Sequence, residues 1–416
     1  MPPTAADSVV PLLLGLTIVL GAAKLGGWLA TRIGQPAVLG ELISGILIGN
    51  LALAGLHGVD WLRDDRTLSI LAQLGVIVLL FQVGLESSVE QMRRVGASAS
   101  LVALVGVVTP FALGWLAGAW LLPGHSPYVH AFLGAALTAT SVGITARVLR
   151  DLKATQTTEA RIILGAAVID DVLGLLILAA LSGVIAAAER GGASISMAEI
   201  AWIGLKALGF LAGVIVVGAP LAPHLFRLAA KIRVPGILLT SGLLFCFLVS
   251  YLATLAGLAP IVGAFGAGLV LEGSHFERFE ESRGESLESL LRPISSFLVP
   301  IFFVLTGIRV ELAALAQPGV LALAFFLTLA AWVGKQACSL AVLERGVDRL
   351  TIGLGMVPRG EVGLIFATFG ATLVIGGERI ITPATYSAVV IMVIVTTLVT
   401  PPARQWSMKR RRRKAG

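Results

Sequence analysis

Among the ionisable residues inside long apolar runs of this chain, five stand out. Asp170 and Asp171 are adjacent in Ala167-Val168-Ile169-Asp170-Asp171-Val172-Leu173-Gly174, near the middle of one run, and Lys335 lies in another. Arg359 and Glu361 share a third, in Met356-Val357-Pro358-Arg359-Gly360-Glu361-Val362-Gly363. Neighbours on a helix project about 100° apart, so one aspartate can face a partner helix while the other faces an aqueous cavity. Each ionised group near a bilayer centre costs at least ~2.5–3.5 kcal/mol; five cost on the order of 15 kcal/mol unless paired or solvated, as much as a domain's stability. Packing alone does not explain five such groups. Arg359 and Glu361 also have a structural explanation, because they could neutralise each other and the ends of interrupted helices.

The chemistry these groups suggest is exchange of small cations. Two carboxylates, the hydroxyls of Ala139-Thr140-Ser141-Val142-Gly143-Ile144-Thr145 and unwound carbonyls are hard oxygen ligands, suited to alkali cations and protons. A carboxylate in a low-dielectric cavity protonates more readily, and a nearby lysine opposes this. Proton and cation binding that exclude one another on one carboxylate are the minimal physics of an antiporter. The chain has no P-loop, so ATP is not the expected energy source, and neither an enzymatic activity nor a bound cofactor is expected.

Other candidates carry less. His57, His125, His130, His224 and His275 fall in loops or at span ends and read as ordinary surface histidines. Cys246 and Cys338 lie in apolar runs without a CxxC spacing and read as buried packing. Gly263, Gly266 and Gly268 follow no strand and read as close helix packing. Glu41 and Glu86 read as helix-end or packing elements, and Lys24 and Lys206 as residues able to snorkel.

The elements that position these groups are membrane helices. The chain has 416 residues, 56% hydrophobic and 13% charged, where a soluble domain carries about 25% charged. A soluble enzyme, a disordered chain and a disulfide scaffold are excluded. Apolar runs between polar breaks give thirteen spans, near 8–31, 36–55, 68–86, 98–122, 129–149, 161–187, 197–219, 236–254, 257–272, 293–309, 318–340, 350–375 and 382–403. With the C-terminus in the cytoplasm, 22 Lys and Arg fall on the cytoplasmic side and five, Arg63, Arg66, Arg190, Arg309 and Arg379, on the other. That bias places the N-terminus outside. The N-terminal run lacks a basic flank, so no cleaved signal peptide is expected. The net charge of +7 reflects residues 409–414, all basic, which read as a topology and anionic-lipid signal rather than a nucleic-acid site.

The fifth and twelfth spans hold the glycine–hydroxyl and proline–charge clusters, which no uninterrupted lipid-facing helix accommodates. They lie seven spans apart, so corresponding helices would cross the membrane in opposite directions. Spans 1–6 and 8–13 are expected to be inverted repeats joined by span 7, with crossed discontinuous helices at a midplane ion site.

The runs QPAVLGELISGILIG (35–49), ATSVGITARVL (139–149), VIDDVLGL (168–175), Gly334-Lys335 and MVPRGEVGLI (356–365) resemble the bacterial sodium/proton antiporters of the second branch of the monovalent cation:proton antiporter family. The resemblance covers essentially the whole chain. It implies an all-α membrane protein of thirteen helices in two inverted six-helix repeats, N-out and C-in, homodimeric, in the bacterial inner membrane. It implies that Asp171 is the main sodium- and proton-binding carboxylate and that Asp170 forms an ion pair with Lys335 that breaks as the cation binds. Thr140 and Ser141 would contribute oxygen ligands, and Arg359 and Glu361 would stabilise the half-helix ends. Asp170 and Asp171 together are the expected metal ligands for sodium, with lithium as a further substrate.

The same resemblance implies an elevator-like motion. Residues 1–92 and 191–310 would form scaffold, dimerisation and linking helices. Residues 93–190 and 311–405 would form the ion-binding core, followed by a basic cytoplasmic tail at 406–416. Kef-type potassium efflux proteins carry Gln-Asp where this chain has Asp170-Asp171, and usually add a nucleotide-binding domain. Electroneutral relatives often have Asn at the first position. Asp170 therefore favours electrogenic exchange, two protons in for one sodium out, which harvests about 2.3 kcal/mol per 100 mV. Potassium/proton exchange, a sodium-coupled organic-anion symporter and a channel are the alternatives. A symporter would need an anion-binding group, for which Arg359 is the candidate, and a channel would not need a buried Lys–Asp pair.

Overall fold

The computed structural model describes residues 5–86, 96–141, 145, 149, 157–191, 197–231, 234, 236–271, 286–359, 361–375 and 378–415. Among them are fourteen α-helices: α1 (Ala5–Arg32), α2 (Ala37–Gly49), α3 (Arg66–Glu86), α4 (Ala97–Leu121), α5 (Pro127–Ala136), α6 (Thr158–Gly191), α7 (Met197–Lys231), α8 (Ile237–Leu255), α9 (Pro260–Val270), α10 (Leu287–Ile308), α11 (Pro318–Ala337), α12 (Arg349–Met356), α13 (Glu361–Gly370) and α14 (Pro383–Ala415). One hairpin, β1 (Val374–Ile375) with β2 (Glu378–Arg379), pairs antiparallel. Apolar runs become helices because a helix satisfies its backbone polar groups within one segment, as hydrocarbon requires. Proline opens α5, α9, α11 and α14, where its missing N–H forfeits no helical bond.

Nine helices of the described residues are long and apolar enough to cross a membrane: α1, α3, α4, α6, α7, α8, α10, α11 and α14. Apolar α2 and α9 are shorter. The chain is an all-helical integral membrane protein. Several helices outrun the apolar runs that announce them. For example, α7 passes Pro220 and Pro223 to end at Lys231, and α14 continues through the basic stretch to Ala415. Hydropathy marks where charge begins, and a helix need not stop there.

The chain divides into two compact units. One comprises Met1–Ile33, Gly40–Val89 and Ser182–Ile308. Its helices meet where glycine lets backbones touch. A methyl on Gly84 of α3 would strike the Phe265 carbonyl of α9, and one on Gly268 would strike the Phe81 carbonyl of α3. The glycine run of α9 serves three neighbours: Gly263 faces the Val249 carbonyl of α8, Gly266 faces Leu211 and Val214 of α7, and Gly268 faces α3. Close packing by small residues substitutes here for a hydrophobic driving force that lipid does not supply. Lys24 reaches the Ser296 carbonyl at 3.4 Å from an exposed position, Lys206 is exposed, and Glu41 is buried within α2. Cys246 packs as a buried residue of α8.

The other unit comprises Gly34–Leu39, Glu90–Leu181 and Arg309–Gly416. Its apolar core joins Val102 and Ala103 of α4, Ile163 and Ala167 of α6, Cys338, and Met356 of α12. His130 departs from the surface role expected of it. It is buried, its ring meets Trp115 edge-on with centroids 6.3 Å apart, and Nε2 lies 2.9 Å from the Leu122 carbonyl. Its position one turn into a short helix packed on α4, rather than its nearness to a loop, decides its burial. His275 lies outside the described residues.

Gly268→Val should therefore lower the detergent-solubilised melting temperature by the equivalent of ~1–3 kcal/mol of overpacking. Gly21→Val is the control, since a side chain there meets nothing within 4 Å. Equal melting of both variants would contradict the glycine contact.

Candidate ion-binding site

Two interrupted helices meet inside the second unit. Helix α5 stops at Ala136, and residues 137–141 run on without helical structure. Helix α12 stops at Met356, residues 357–359 are non-helical, and α13 begins at Glu361. The two breaks hydrogen-bond to each other. Ser141 N–H donates to the Pro358 carbonyl at 2.9 Å, the Thr140 hydroxyl to the Met356 carbonyl at 3.1 Å, and the Thr145 hydroxyl to the Gly355 carbonyl at 2.9 Å. The two hydroxyls satisfy the last carbonyls of α12, which have no acceptor role left within the helix, and the amide satisfies the Pro358 carbonyl just beyond it. Proline at 358 cannot continue the ladder, so the break is local and cheap at this point. Residues 142–144 and Gly360 lie outside the described residues.

Arg359 serves the other break. Fully buried, it donates through Nη1 to the Thr138 and Ala139 carbonyls at 3.2 and 2.6 Å, and through Nη2 to the Ala331 carbonyl of α11 at 3.4 Å. A guanidinium just beyond the end of α5 lies where the helix dipole favours positive charge. Its own carbonyl accepts from the Thr397 hydroxyl of α14 at 2.5 Å.

Helix α6 brings the aspartates alongside. Asp170 and Lys335 form an ion pair of 2.7 Å, both side chains fully buried. Asp170 Oδ2 has no hydrogen-bond partner among the described residues. Asp171 is 5% exposed and projects from a neighbouring face. One turn on, a side chain at Gly174 would lie 3.9 Å from Thr138 Oγ1 and 4.0 Å from Ala139 Cβ. Gly174 lies three residues after Asp171 and four after Asp170, so the side of α6 that carries both aspartates runs past the extended segment.

Of the residues expected to act, Asp170 and Lys335 are joined directly, Thr140 and Ser141 stand at the crossing, and Arg359 bridges it. Glu361 opens α13, but its side chain lies outside the described residues. Sequence reasoning did not single out Thr397, or Thr145 beyond its place in a hydroxyl cluster. The available signal for the first was Thr396-Thr397-Leu398-Val399-Thr400, three hydroxyls inside an apolar span.

Residues 19–408 match the family sodium/hydrogen exchanger, transmembrane. The chain belongs to that family.

Members of the sodium/hydrogen exchanger family are transporters, so this exchanger is not an enzyme. It is 38% identical over 413 residues to the high-affinity sodium/proton antiporter NhaS3 of Synechocystis, covering 91% of this chain and 86% of that one. It is 34% identical over 361 residues to the sodium/proton–potassium antiporter GerN of Bacillus cereus, covering 85% and 87%. Its fold matches the sodium/proton antiporter MjNhaP1 of Methanocaldococcus jannaschii with a TM-score of 0.71 at 18% identity, over 97% of this chain and 99% of that one.

Removing one member of a buried ion pair leaves an uncompensated charge, at ~3–5 kcal/mol. Lys335→Met should therefore lower the melting temperature markedly, and Asp170→Asn combined with Lys335→Met should recover most of the loss. A double variant no better than the single one would contradict the pairing.

Proposed function

We propose that this exchanger is an electrogenic sodium/proton antiporter of the second branch of the monovalent cation:proton antiporter family, which also accepts lithium. Asp171 is the carboxylate for which sodium and protons compete, with Thr140 and Ser141 supplying oxygens. Asp170 releases Lys335 as the cation enters, and two protons move in for one sodium out. Arg359 and Glu361 balance the half-helix ends. The observation that carries this reading is the fully buried 2.7 Å Asp170–Lys335 pair one residue from Asp171. Such a pair contributes little net stability, so its retention is best explained by a switch between charge states.

Thirteen spans in two inverted repeats, N-terminus outside, are the architecture we infer. The broken helices at 136–141 and 356–361 support it, because paired interruptions in corresponding positions accompany inverted repeats. All the site residues lie in one compact unit, which supports its movement as a body in an elevator-like cycle. Residues 93–190 and 311–405 would then be the mobile core, against a dimer scaffold of 1–92 and 191–310. A homodimer in a bacterial inner membrane, with the basic residues of 409–414 on anionic headgroups, completes the proposal.

Potassium/proton exchange is the second reading, favoured by the similarity to GerN, whose name includes potassium. An organic-anion symporter is disfavoured because the Arg359 guanidinium is already engaged on three carbonyls.

Proton flux in reconstituted liposomes after pulses of sodium, lithium, potassium and choline tests the proposal. Sodium and lithium should drive protons, and Asp171→Asn should abolish the response while the protein still folds. Unchanged flux in that variant would remove the central claim, and equal driving by potassium would favour the second reading. Clamping the membrane potential should alter the rate if exchange is electrogenic. Because raising pH removes the competing proton, half-saturating sodium should fall by about tenfold per pH unit wherever Asp171 is mostly protonated. A sodium affinity independent of pH would contradict competition at one carboxylate.

A further inference from the structure

Four carbonyls around the second break, those of Gly355, Met356, Pro358 and Arg359, each accept one identified hydrogen bond. Three donors come from residues 140–145, the other half of the crossing. The fourth, Thr397, comes from α14, outside both broken helices. Its buried neighbours behave differently: the Thr396 hydroxyl donates to Met392 and Val393, and the Thr400 hydroxyl to Thr396, all within their own helix. Of these three threonines only Thr397 reaches across to the break.

The residue it holds is the one on which the first break depends. Arg359 spans the Thr138 and Ala139 carbonyls with one nitrogen and the Ala331 carbonyl with another. Ala331 is one helical turn before Lys335, and Thr138 and Ala139 lead directly into Thr140 and Ser141. A shift in the backbone at 359 therefore moves both the cation's oxygen ligands and the turn that carries the lysine. We infer that Thr397 is a positioning residue of the ion site, fixing the Arg359 backbone so that its guanidinium holds the two halves of the crossing in register. This rests on the proposed antiport at that site.

The test compares Thr397→Val, Thr397→Ser and Thr396→Val in liposomes, reading half-saturating sodium and maximal rate separately. Thr397→Val should raise half-saturating sodium about tenfold, the scale of leaving one buried carbonyl without its bond, with maximal rate within about twofold. Serine keeps the hydroxyl and should restore wild-type behaviour. Thr396→Val, an identical change one residue away, should leave half-saturating sodium unchanged. A wild-type value in Thr397→Val, or equal shifts in both valine variants, overturns the inference. Should Thr397→Val not fold, Thr397→Ala takes its place, with the same shift expected and a wild-type value again overturning it. Absence of sodium-driven flux in the wild type would instead overturn the antiport reading itself.

Discussion

An unsatisfied backbone carbonyl costs several kcal/mol in hydrocarbon, and an interrupted helix exposes several at once. That constraint organises the second unit. Each break supplies what the other lacks: segment 140–145 donates an N–H and two hydroxyls to the end of α12, and Arg359, from the second break, donates to the carbonyls that follow α5. Neither break is satisfied without the other. The hydroxyls at 140 and 145 and the arginine at 359 are therefore requirements of the backbone before they are candidates for chemistry.

The aspartates and the lysine are the second layer, and they are placed by α6 and α11 rather than by the breaks. Asp170 and Lys335 lie fully out of solvent at 2.7 Å, while Asp171, one residue on, keeps slight exposure. Two adjacent carboxylates thus occupy unlike environments through helix geometry alone. The tight contact of Gly334 with Pro110 lets α11 approach α4 closely just before Lys335, which holds the lysine's backbone against its neighbour.

The parts legible in the sequence were those with a local physical signature. Proline, two glycines and two charges within 356–363 announce a break anywhere, and charge inside an apolar run announces a partner. Whether Asp170 or Asp171 meets Lys335 is a matter of helix rotation, which apolar runs on all sides of α6 do not encode; the resemblance supplied it. Thr397 was hidden because threonine in a membrane helix usually bonds its own preceding turn, as Thr396 and Thr400 do here. The burial of His130 depends on Trp115 and the Leu122 carbonyl, contacts made by helix packing across a turn.

The two half-helix ends are compensated unequally, and the difference bears on the proposed antiport. Beyond α5 stands a permanent cation, Arg359; at and just past the end of α12 the donors identified among the described residues are two hydroxyls and one amide, all neutral. Neutral donors satisfy the carbonyls but do not cancel the partial negative charge of a helix C-terminus. A hydroxyl that has donated its hydrogen still has lone pairs to offer a metal ion. The Thr140 oxygen, with its hydrogen committed to the Met356 carbonyl, keeps lone pairs beside the negative end of α12. A second fixed arginine there would occupy the place proposed for the transported cation. Neutral capping on one side and charged capping on the other is the arrangement that leaves room for a charge that must come and go.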